Sequence, residues 1–193
     1  MLNRVLNFGR RKLWYALNKV RFRNLGYNSW FISPLKLTPK YISCGQRVFV
    51  FKQCRIEGIS SYNEATFNPE IVLKDDVSIQ QNLHLTCAQS VVIGEYVAIA
   101  ANVTITDIHH GYKDIETPIE KQDIEVQPVS IGEHSKIYNN AVILPGTKIG
   151  KHVTVAANSV VSGKFPDFCV IGGAPAKILR QYNRETGVWE RQT

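Results

Sequence analysis

The sequence lacks any apolar run of the about 18 residues that a bilayer-spanning helix needs, so it predicts no membrane span. It also lacks the apolar core of a secretory signal, because charged residues interrupt its first turns. The net charge is +7, but no nucleic-acid-binding motif accompanies it, so no nucleic-acid partner is predicted. With 193 residues, the chain is expected to form one cytoplasmic domain.

Cysteine is sparse, and none of it is spaced as a CxxC pair. The four residues are Cys44, Cys54, Cys87 and Cys169. Three of them fall at interior or corner positions of the repeat described below. We therefore expect buried free thiols in a reducing compartment and not a disulfide framework.

Acidic residues are absent from the first 23 positions, which hold seven basic ones. Apolar residues recur there at helical spacing, namely Leu2, Val5, Leu6, Leu13, Leu17 and Val20. A basic amphipathic helix is predicted, joined to the repeat by the rest of residues 1–41. Its apolar stripe could close the open end of the repeat, or it could dock on the inner face of an anionic membrane.

A six-residue repeat runs through the second half of the chain. Nine units occupy residues 91–108 and 129–164, beginning with VVIGEY and ending with SVVSGK. The third position is always aliphatic, as in Ile93 and Ile131, and the fourth is usually small, as in Gly94 and Gly132. A fixed period indicates units that bury their apolar sides by stacking on copies of themselves. The small fourth position is expected to let the chain bend at a corner.

The same register continues upstream, so the repeat region spans residues 42–164. It predicts five coils of 18 residues, at 42–59, 71–88, 91–108, 129–146 and 147–164. Excursions interrupt it at 60–70 and 109–128, and a long loop in a compact repeat domain is often functional. In the final segment, 165–193, residues 174–182 are predicted to form a short helix with Pro175 in its first turn.

Two motifs accompany the repeat: ITDIHHGY at 105–112 and GGAPAKILRQY at 172–182. Together they resemble the hexapeptide-repeat acyltransferases. The resemblance implies an all-β fold, a left-handed parallel β-helix. The stretch 26–50 is similar to the corresponding part of acetyltransferases encoded with O-antigen and capsule genes, which acetylate sugars of surface polysaccharides.

The resemblance also implies the catalytic groups. In the family signature the histidine directly before the glycine is the base, which here is His110, and Asp107 and Gly111 match as well. Asp107 could orient the imidazole, or a backbone carbonyl could do so. His109 falls at a variable position and is at most accessory.

Coenzyme A contacts follow from the same comparison. Small residues flanking the pantetheine arm would be Asn139, Ala157 and Ser162. Basic residues meeting the ribose phosphate would be Lys177 and Arg180. The family often has tryptophan and a small residue where this chain has Lys136 and Tyr138, so Lys136 is a further phosphate candidate.

These features predict an acetyl-CoA-dependent O-acetyltransferase that acts on a sugar hydroxyl of a surface polysaccharide or its precursor. A homotrimer with active sites at subunit interfaces is implied. Two alternatives stay open, namely N-acetylation of an amino-sugar nucleotide or other small acceptor, and a non-catalytic β-helix module. Three histidines (His84, His110 and His134) could hold a metal as in carbonic anhydrases of this fold. Their spacing differs from that family's HxxxxH pair, so no metal is predicted.

Overall fold

A computed structural model describes residues 2–192 of the chain. One α-helix, α1 (Leu2–Asn18), precedes a long series of short strands. The side chains of residues 1–8, among them Leu2, Arg4, Val5 and Leu6, lie outside the described part.

The strands follow one another in sets of three, and each set is one coil. The first three coils contain β1 (Asn24–Leu25), β2 (Trp30–Phe31), β3 (Lys36–Leu37), β4 (Ile42–Cys44), β5 (Phe49–Val50), β6 (Arg55–Gly58), the hairpin strands β7 (Ser61–Tyr62) and β8 (Ala65–Thr66), and then β9 (Glu70–Leu73), β10 (Ser78–Ile79) and β11 (His84–Cys87). A single 3-10 turn, Pro39–Tyr41, separates the first coil from the second.

The later coils repeat this plan. They contain β12 (Ser90–Ile93), β13 (Ala98–Ile99), β14 (Thr104–Thr106), the arm strands β15 (Ile108–His110) and β16 (Ile124–Val126), then β17 (Val129–Ile131), β18 (Lys136–Ile137), β19 (Val142–Ile143), β20 (Lys148–Ile149), β21 (Thr154–Val155), β22 (Val160–Val161), β23 (Lys164–Phe165) and β24 (Cys169–Gly173). Two more strands, β25 (Ala176–Asn183) and β26 (Val188–Arg191), close the chain.

Equivalent strands of successive coils pair in parallel and form the three faces of a prism, which we name the shaft (residues 24–173). Face 1 has the order β1-β4-β9-β12-β17-β20-β23, and face 3 the order β22-β19-β14-β11-β6-β3. Face 2 has the order β2-β5-β10-β13-β18-β21-β24-β25-β26. The third residue of every six-residue unit points inward. Ile93 and Ile131, for example, pair with each other, and both are buried.

The shaft is longer than the five predicted coils. It has six complete coils and two strands of a seventh, because residues 24–37, predicted as a lead-in, pair with the second coil. Leu25 and Phe31 take the inward third positions there and are buried. Phe31 stands at a third position where the later coils have an aliphatic residue, such as Val50, and this conceals the repeat.

The small fourth position has another reason than the predicted bend. A Cβ on Gly132 would lie 2.4 Å from the carbonyl carbon of Gly150 in the next coil, so glycine allows the coils to stack closely. The left-handed backbone conformation falls instead on the sixth position, as at Asn102 (φ 61°) and His134 (φ 60°). Asparagine and glycine adopt that conformation most readily.

The predicted C-terminal helix is wrong. The chain turns at Gly173–Pro175 and returns as β25, antiparallel to β24, and β26 pairs with β25 in turn. The physical reason is the open edge of β24, whose unpaired backbone groups need partners. Ile178 on β25 also packs against the core at that end.

The other end of the shaft is covered by α1. Trp14 stacks on Phe31 with ring centroids 5.6 Å apart and meets Phe22 edge to face at 6.0 Å. Tyr15 also packs against the core. One side of α1 therefore closes the first coil, as the capping interpretation of the sequence expects.

Candidate active site

Both long excursions leave the shaft at one corner, between face 3 and face 1, and they contact each other. The hairpin β7–β8 leaves after β6, and the arm β15–β16 leaves after β14. The Tyr62 hydroxyl of the hairpin donates to the backbone carbonyl of Glu120 in the arm at 2.7 Å. The Asn63 amide donates to the carbonyl of Gln122 at 3.2 Å. The two excursions thus form one ordered structure beside face 3.

The arm is held in shape by its own polar groups. Its loop residue Gln122 donates to the carbonyls of Asp114 and Thr117 at 2.7 and 2.8 Å. The backbone N–H of Gly111 donates to the Asp123 carbonyl at 3.0 Å, and a Cβ at Gly111 would lie 2.7 Å from that oxygen. The glycine after His110 therefore allows the backbone at 111 to lie close to the backbone at 123. This close contact holds the end of β15, the strand that carries His110.

His110 contacts the hairpin through Tyr62. Its Nδ1 lies 3.3 Å from the Tyr62 hydroxyl oxygen, and the two rings meet edge to face with centroids 5.3 Å apart. A carboxylate oxygen of Glu120 lies 3.1 Å from the same hydroxyl. Desolvation and the Glu120 carboxylate raise the pKa of Tyr62, so the phenol stays protonated at neutral pH.

The hydrogen-bond partners of Tyr62 favour one tautomer of His110. Tyr62 has one hydroxyl proton, and the two Glu120 oxygens around it can only accept. With that proton directed to Glu120, Nδ1–H of His110 donates to the Tyr62 oxygen. The lone pair of the imidazole then lies on Nε2, where a neutral ring can take a proton from a substrate.

His109 points away from this arrangement. Successive side chains of a strand face opposite sides, and β15 pairs His109 with Glu125 and His110 with Ile124. Ile108, on the same side as His110, lines the cleft described below. The geometry thus separates the two neighbouring histidines, and of these two only His110 lines the cleft.

Asp107 is fully buried at the corner where the arm begins. Its carboxylate accepts hydrogen bonds from three consecutive backbone amides of the short bulge at 88–90, which follows β11 and includes the first residue of β12. The donors are Ala88 (2.7 Å), Gln89 (2.8 Å) and Ser90 (2.7 Å). The Cys87 thiol lies 3.4 Å from the same carboxylate, and burial together with that negative charge raises the pKa of Cys87.

These contacts correct the proposed orienting role of Asp107. Both carboxylate oxygens are engaged by the bulge at 88–90, whereas the recorded side-chain partner of His110 is Tyr62. In this chain Asp107 fixes the corner from which the arm departs. The sequence does not reveal Tyr62 and Glu120 as partners of this site. Tyr62 lies 48 positions from His110 and 58 positions from Glu120, so no local pattern links them.

A cleft of 460 Å³ opens beside His110 over face 3. Threonine side chains line its floor, two of which are bonded to each other (Thr86 to Thr106, 2.9 Å). The remaining lining combines apolar and polar residues, namely Arg55, Ile59, Tyr62, His84, Thr104, Ile108, Glu120 and Ile124. The cleft therefore presents hydroxyl groups next to an imidazole.

A charged cluster supports one end of the cleft. Glu57 is buried and forms ion pairs with Lys36 (2.5 Å) and with Arg55. Burial acts to raise the pKa of Glu57, but the hydrogen bonds from Lys36 and Arg55 outweigh it and lower the pKa. Burial and the Arg55 charge lower the pKa of His84, which favours a neutral ring in the cleft.

Comparison with known proteins agrees with this architecture. The family described as bacterial transferase hexapeptide (six repeats) matches residues 128–163. Among relatives, WbbJ of Escherichia coli K12, assigned by name to lipopolysaccharide biosynthesis as an O-acetyl transferase, is 34% identical; the alignment covers 81% of this chain and 98% of WbbJ. The chain belongs to the hexapeptide-repeat acyltransferase family.

Two further acetyltransferases show the same relationship. The galactoside O-acetyltransferase of Escherichia coli K12 is 29% identical over 87% of this chain and 68% of that protein. The crystal structure of a hexapeptide-repeat-containing acetyltransferase from Vibrio cholerae has a TM-score of 0.60 at 26% identity, covering 89% of this chain and 80% of that one. The shaft is the left-handed parallel β-helix of this family.

The six residues predicted to contact coenzyme A lie in three places on one chain. Asn139 and Ala157 lie at the corner between faces 2 and 3, just before β19 and β22. Ser162 follows β22 at the corner between faces 3 and 1, the corner that the arm leaves. Lys136, Lys177 and Arg180 belong to face 2, on β18 and β25.

A bulge determines how Lys177 and Arg180 are presented. Lys177 pairs with Gly172 and Arg180 with Val170, with Ile178 opposite the buried Ile171. On a regular strand the side chains of Lys177 and Arg180, three positions apart, would face opposite sides. The extra residue at 179 places both side chains on the same side. Both basic residues therefore lie on the outer side of face 2.

Lys136 shares that outer side. Its neighbour Ile137 points inward and is buried, so Lys136 points outward. The residues in register with Lys136 on the following strands form one outward column, namely Thr154, Val170 and Arg180. Its ammonium lies 5.5 Å from the ring centre of Tyr138, which is 44% exposed. The two residues that depart from the family pattern thus contact each other at the edge of face 2.

The three histidines weighed as metal ligands do not come together. His134 lies at the corner between faces 1 and 2, stacked on Tyr96 with centroids 5.2 Å apart, away from the cleft of His84 and His110. Within residues 2–192, no three His, Cys, Asp or Glu side chains are placed to hold a metal ion. The four cysteines are buried and free, as the sequence predicts.

Asp107→Asn is expected to lower stability more than activity. One of the three amide donors then faces an NH₂ group, and a buried unpaired donor costs about 1–3 kcal/mol of unfolding free energy. Asp107→Ala should be worse still. Denaturant unfolding measures the loss, and acetyl transfer per folded molecule should stay near native. A stable Asp107→Asn protein with a hundredfold lower turnover would contradict this assignment.

Proposed function

We propose that the protein is an acetyl-CoA-dependent O-acetyltransferase for a sugar hydroxyl of a surface polysaccharide or its precursor. The observation that carries the proposal is the pairing of His110 with Tyr62, which leaves Nε2 free at a cleft floored by hydroxyl groups. The relatives support the acceptor class, since one is named for lipopolysaccharide biosynthesis and the other for galactosides.

The proposed reaction is a direct transfer. Nε2 of His110 takes the proton of the acceptor hydroxyl while that oxygen bonds to the thioester carbonyl carbon. The tetrahedral intermediate collapses, the carbon–sulfur bond breaks, and the imidazolium returns the proton to the departing sulfur. Tyr62 accepts from Nδ1–H throughout, and a protonated ring is stabilised by that contact. Tyr62 and Glu120 are thus positioning residues.

The acceptor is proposed to lie over the floor of face 3. A sugar ring presents several hydroxyls, and Thr86, Thr104 and Thr106 can each donate and accept. Arg55 and His84 at the far end suit further ring or linkage oxygens. Binding of the acceptor there directs one hydroxyl to His110.

The donor is proposed to run along the shaft beside face 2. Its phosphates would meet Lys177 and Arg180, with Lys136 in the same outward column. Asn139 and Ala157 at the adjoining corner would flank the pantetheine arm. Lysine and arginine side chains on an exposed strand suit the phosphates because both form charge-assisted hydrogen bonds with phosphate oxygens.

A homotrimer would complete the site. In one chain, face 3 separates the corner that carries His110 and Ser162 from the corner that carries Asn139 and Ala157. The cleft beside His110 includes none of the six donor residues. Three parallel shafts around a threefold axis would bring the His110 corner of one chain to the corner of its neighbour that carries Asn139 and Ala157.

His110→Ala is expected to reduce turnover by roughly 10²–10⁴, as loss of a general base does, with little change in the affinity for acetyl-CoA. His109→Ala is the matched control, because it removes the same side chain from the opposite side of β15 and should be mild. Thiol release with a panel of sugar acceptors measures both. A larger loss for His109→Ala would overturn the assignment.

Lys177→Ala with Arg180→Ala is expected to raise the Michaelis constant for acetyl-CoA more than it lowers turnover, since neither residue approaches the reacting carbon. Dephospho-acetyl-CoA should be a poorer donor than acetyl-CoA for the native enzyme, and about equal for the double variant. Steady-state kinetics with both donors measure this. If the double variant keeps the native preference, the phosphate is bound elsewhere, and Lys136 is the next residue to test.

A further inference from the structure

Helix α1 has two different sides. The inner side, with Trp14 and Tyr15, packs against the first coil. Arg11 also belongs to it, donating to the Asn28 carbonyl at 2.8 Å and lying 5.7 Å from the Trp30 ring centre. Capping of the shaft therefore uses only this side of the helix.

The outer side of α1 is apolar and exposed. Leu13 and Leu17, four residues apart and so adjacent on the helix surface, are 61% and 65% exposed. Val20, in the turn that follows, is 90% exposed. At 100° per residue, Arg10 and Lys12 fall on the two flanks of the leucine stripe. An apolar stripe bordered by cations is the surface of a helix that lies in a bilayer interface.

The charge of the whole chain is concentrated at this end. Residues 1–23 hold seven of the 23 basic residues and none of the 16 acidic ones. They account for the entire net charge of +7, so residues 24–193 are formally neutral. Capping the shaft does not require this segregation, because the capping contacts described above are made by aromatic rings and by one basic residue, Arg11.

We propose that the outer side of α1 docks on an anionic lipid bilayer, with Leu13 and Leu17 at the acyl boundary and Arg10 and Lys12 among the headgroups. The helix lies on the surface, and no helix within residues 2–192 is long and apolar enough to span a membrane. For an enzyme that uses acetyl-CoA, the surface is the cytoplasmic leaflet.

The fold makes such docking productive. α1 covers one end of the shaft, and β25 and β26 lie at the other. The acceptor cleft is lined from the second coil onward, at the end nearer α1. In the proposed trimer, three parallel shafts would present three helices to one plane, which multiplies weak individual contacts. This last step rests on the proposed function, whereas docking itself does not.

Vesicle co-sedimentation of the full chain tests the proposal. Binding to phosphatidylcholine vesicles with about 30% phosphatidylglycerol should exceed binding to pure phosphatidylcholine and fall in about 0.5 M NaCl. Leu13→Gln with Leu17→Gln should lower the partition coefficient about tenfold or more. Arg10→Gln with Lys12→Gln should lower it several-fold per residue on anionic vesicles only.

Matched controls exist at the other end of the molecule. Val188→Gln replaces an apolar residue that is 54% exposed, and Lys148→Gln with Lys164→Gln removes the same charge; both should bind vesicles as the native chain does. Thermal unfolding and activity on a soluble acceptor should be native in every variant, which separates failed docking from a failed function. Equal vesicle binding by the Leu13, Leu17 variant and the native chain would overturn the proposal. So would a smaller assembly of that variant in sedimentation velocity, since the stripe would then join copies of the chain.

Discussion

Close stacking of coils that share one backbone plan is the constraint on which the rest of this structure depends. Parallel pairing holds each coil on the one before it, and the inward residues meet only if the register is kept, as between Ile93 and Ile131. Glycines such as Gly132 allow the backbones to approach. Side chains along one corner reinforce the stack through an amide ladder, in which Asn102 accepts from Asn82 and donates to Asn140. Extra residues can therefore enter only at corners.

The candidate active site lies where that freedom is used. The hairpin and the arm leave the same corner from the second and fourth coils, and the bulge at 88–90 occupies it in the third. Asp107 ties the bulge to the start of the arm, and Tyr62 ties the hairpin to His110. A regular scaffold thus positions an imidazole through two irregular segments that stabilise each other.

The repeat could be predicted from sequence because it is local and periodic, and the inward positions and both excursions follow from it. The choice of His110 over His109 comes from the resemblance of ITDIHHGY to the family signature, not from the repeat. The first coil does not follow from the pattern because Phe31 stands at a position that is aliphatic in the later coils. GGAPAKILRQY looked helical in isolation, but the open edge of β24 makes it a strand. The partnership of Tyr62 with His110 depends on tertiary folding and leaves no trace in either segment alone.

The central proposal is that the His110 of one site and its Lys177 and Arg180 come from different chains. Mixing His110→Ala subunits with Lys177→Ala, Arg180→Ala subunits tests it directly, at acetyl-CoA concentrations far below saturation for the double variant. After joint refolding, some sites would combine native His110 from one chain with native Lys177 and Arg180 from its neighbour. The account predicts activity well above that of the separately refolded proteins combined. Activity equal to that combination would contradict it.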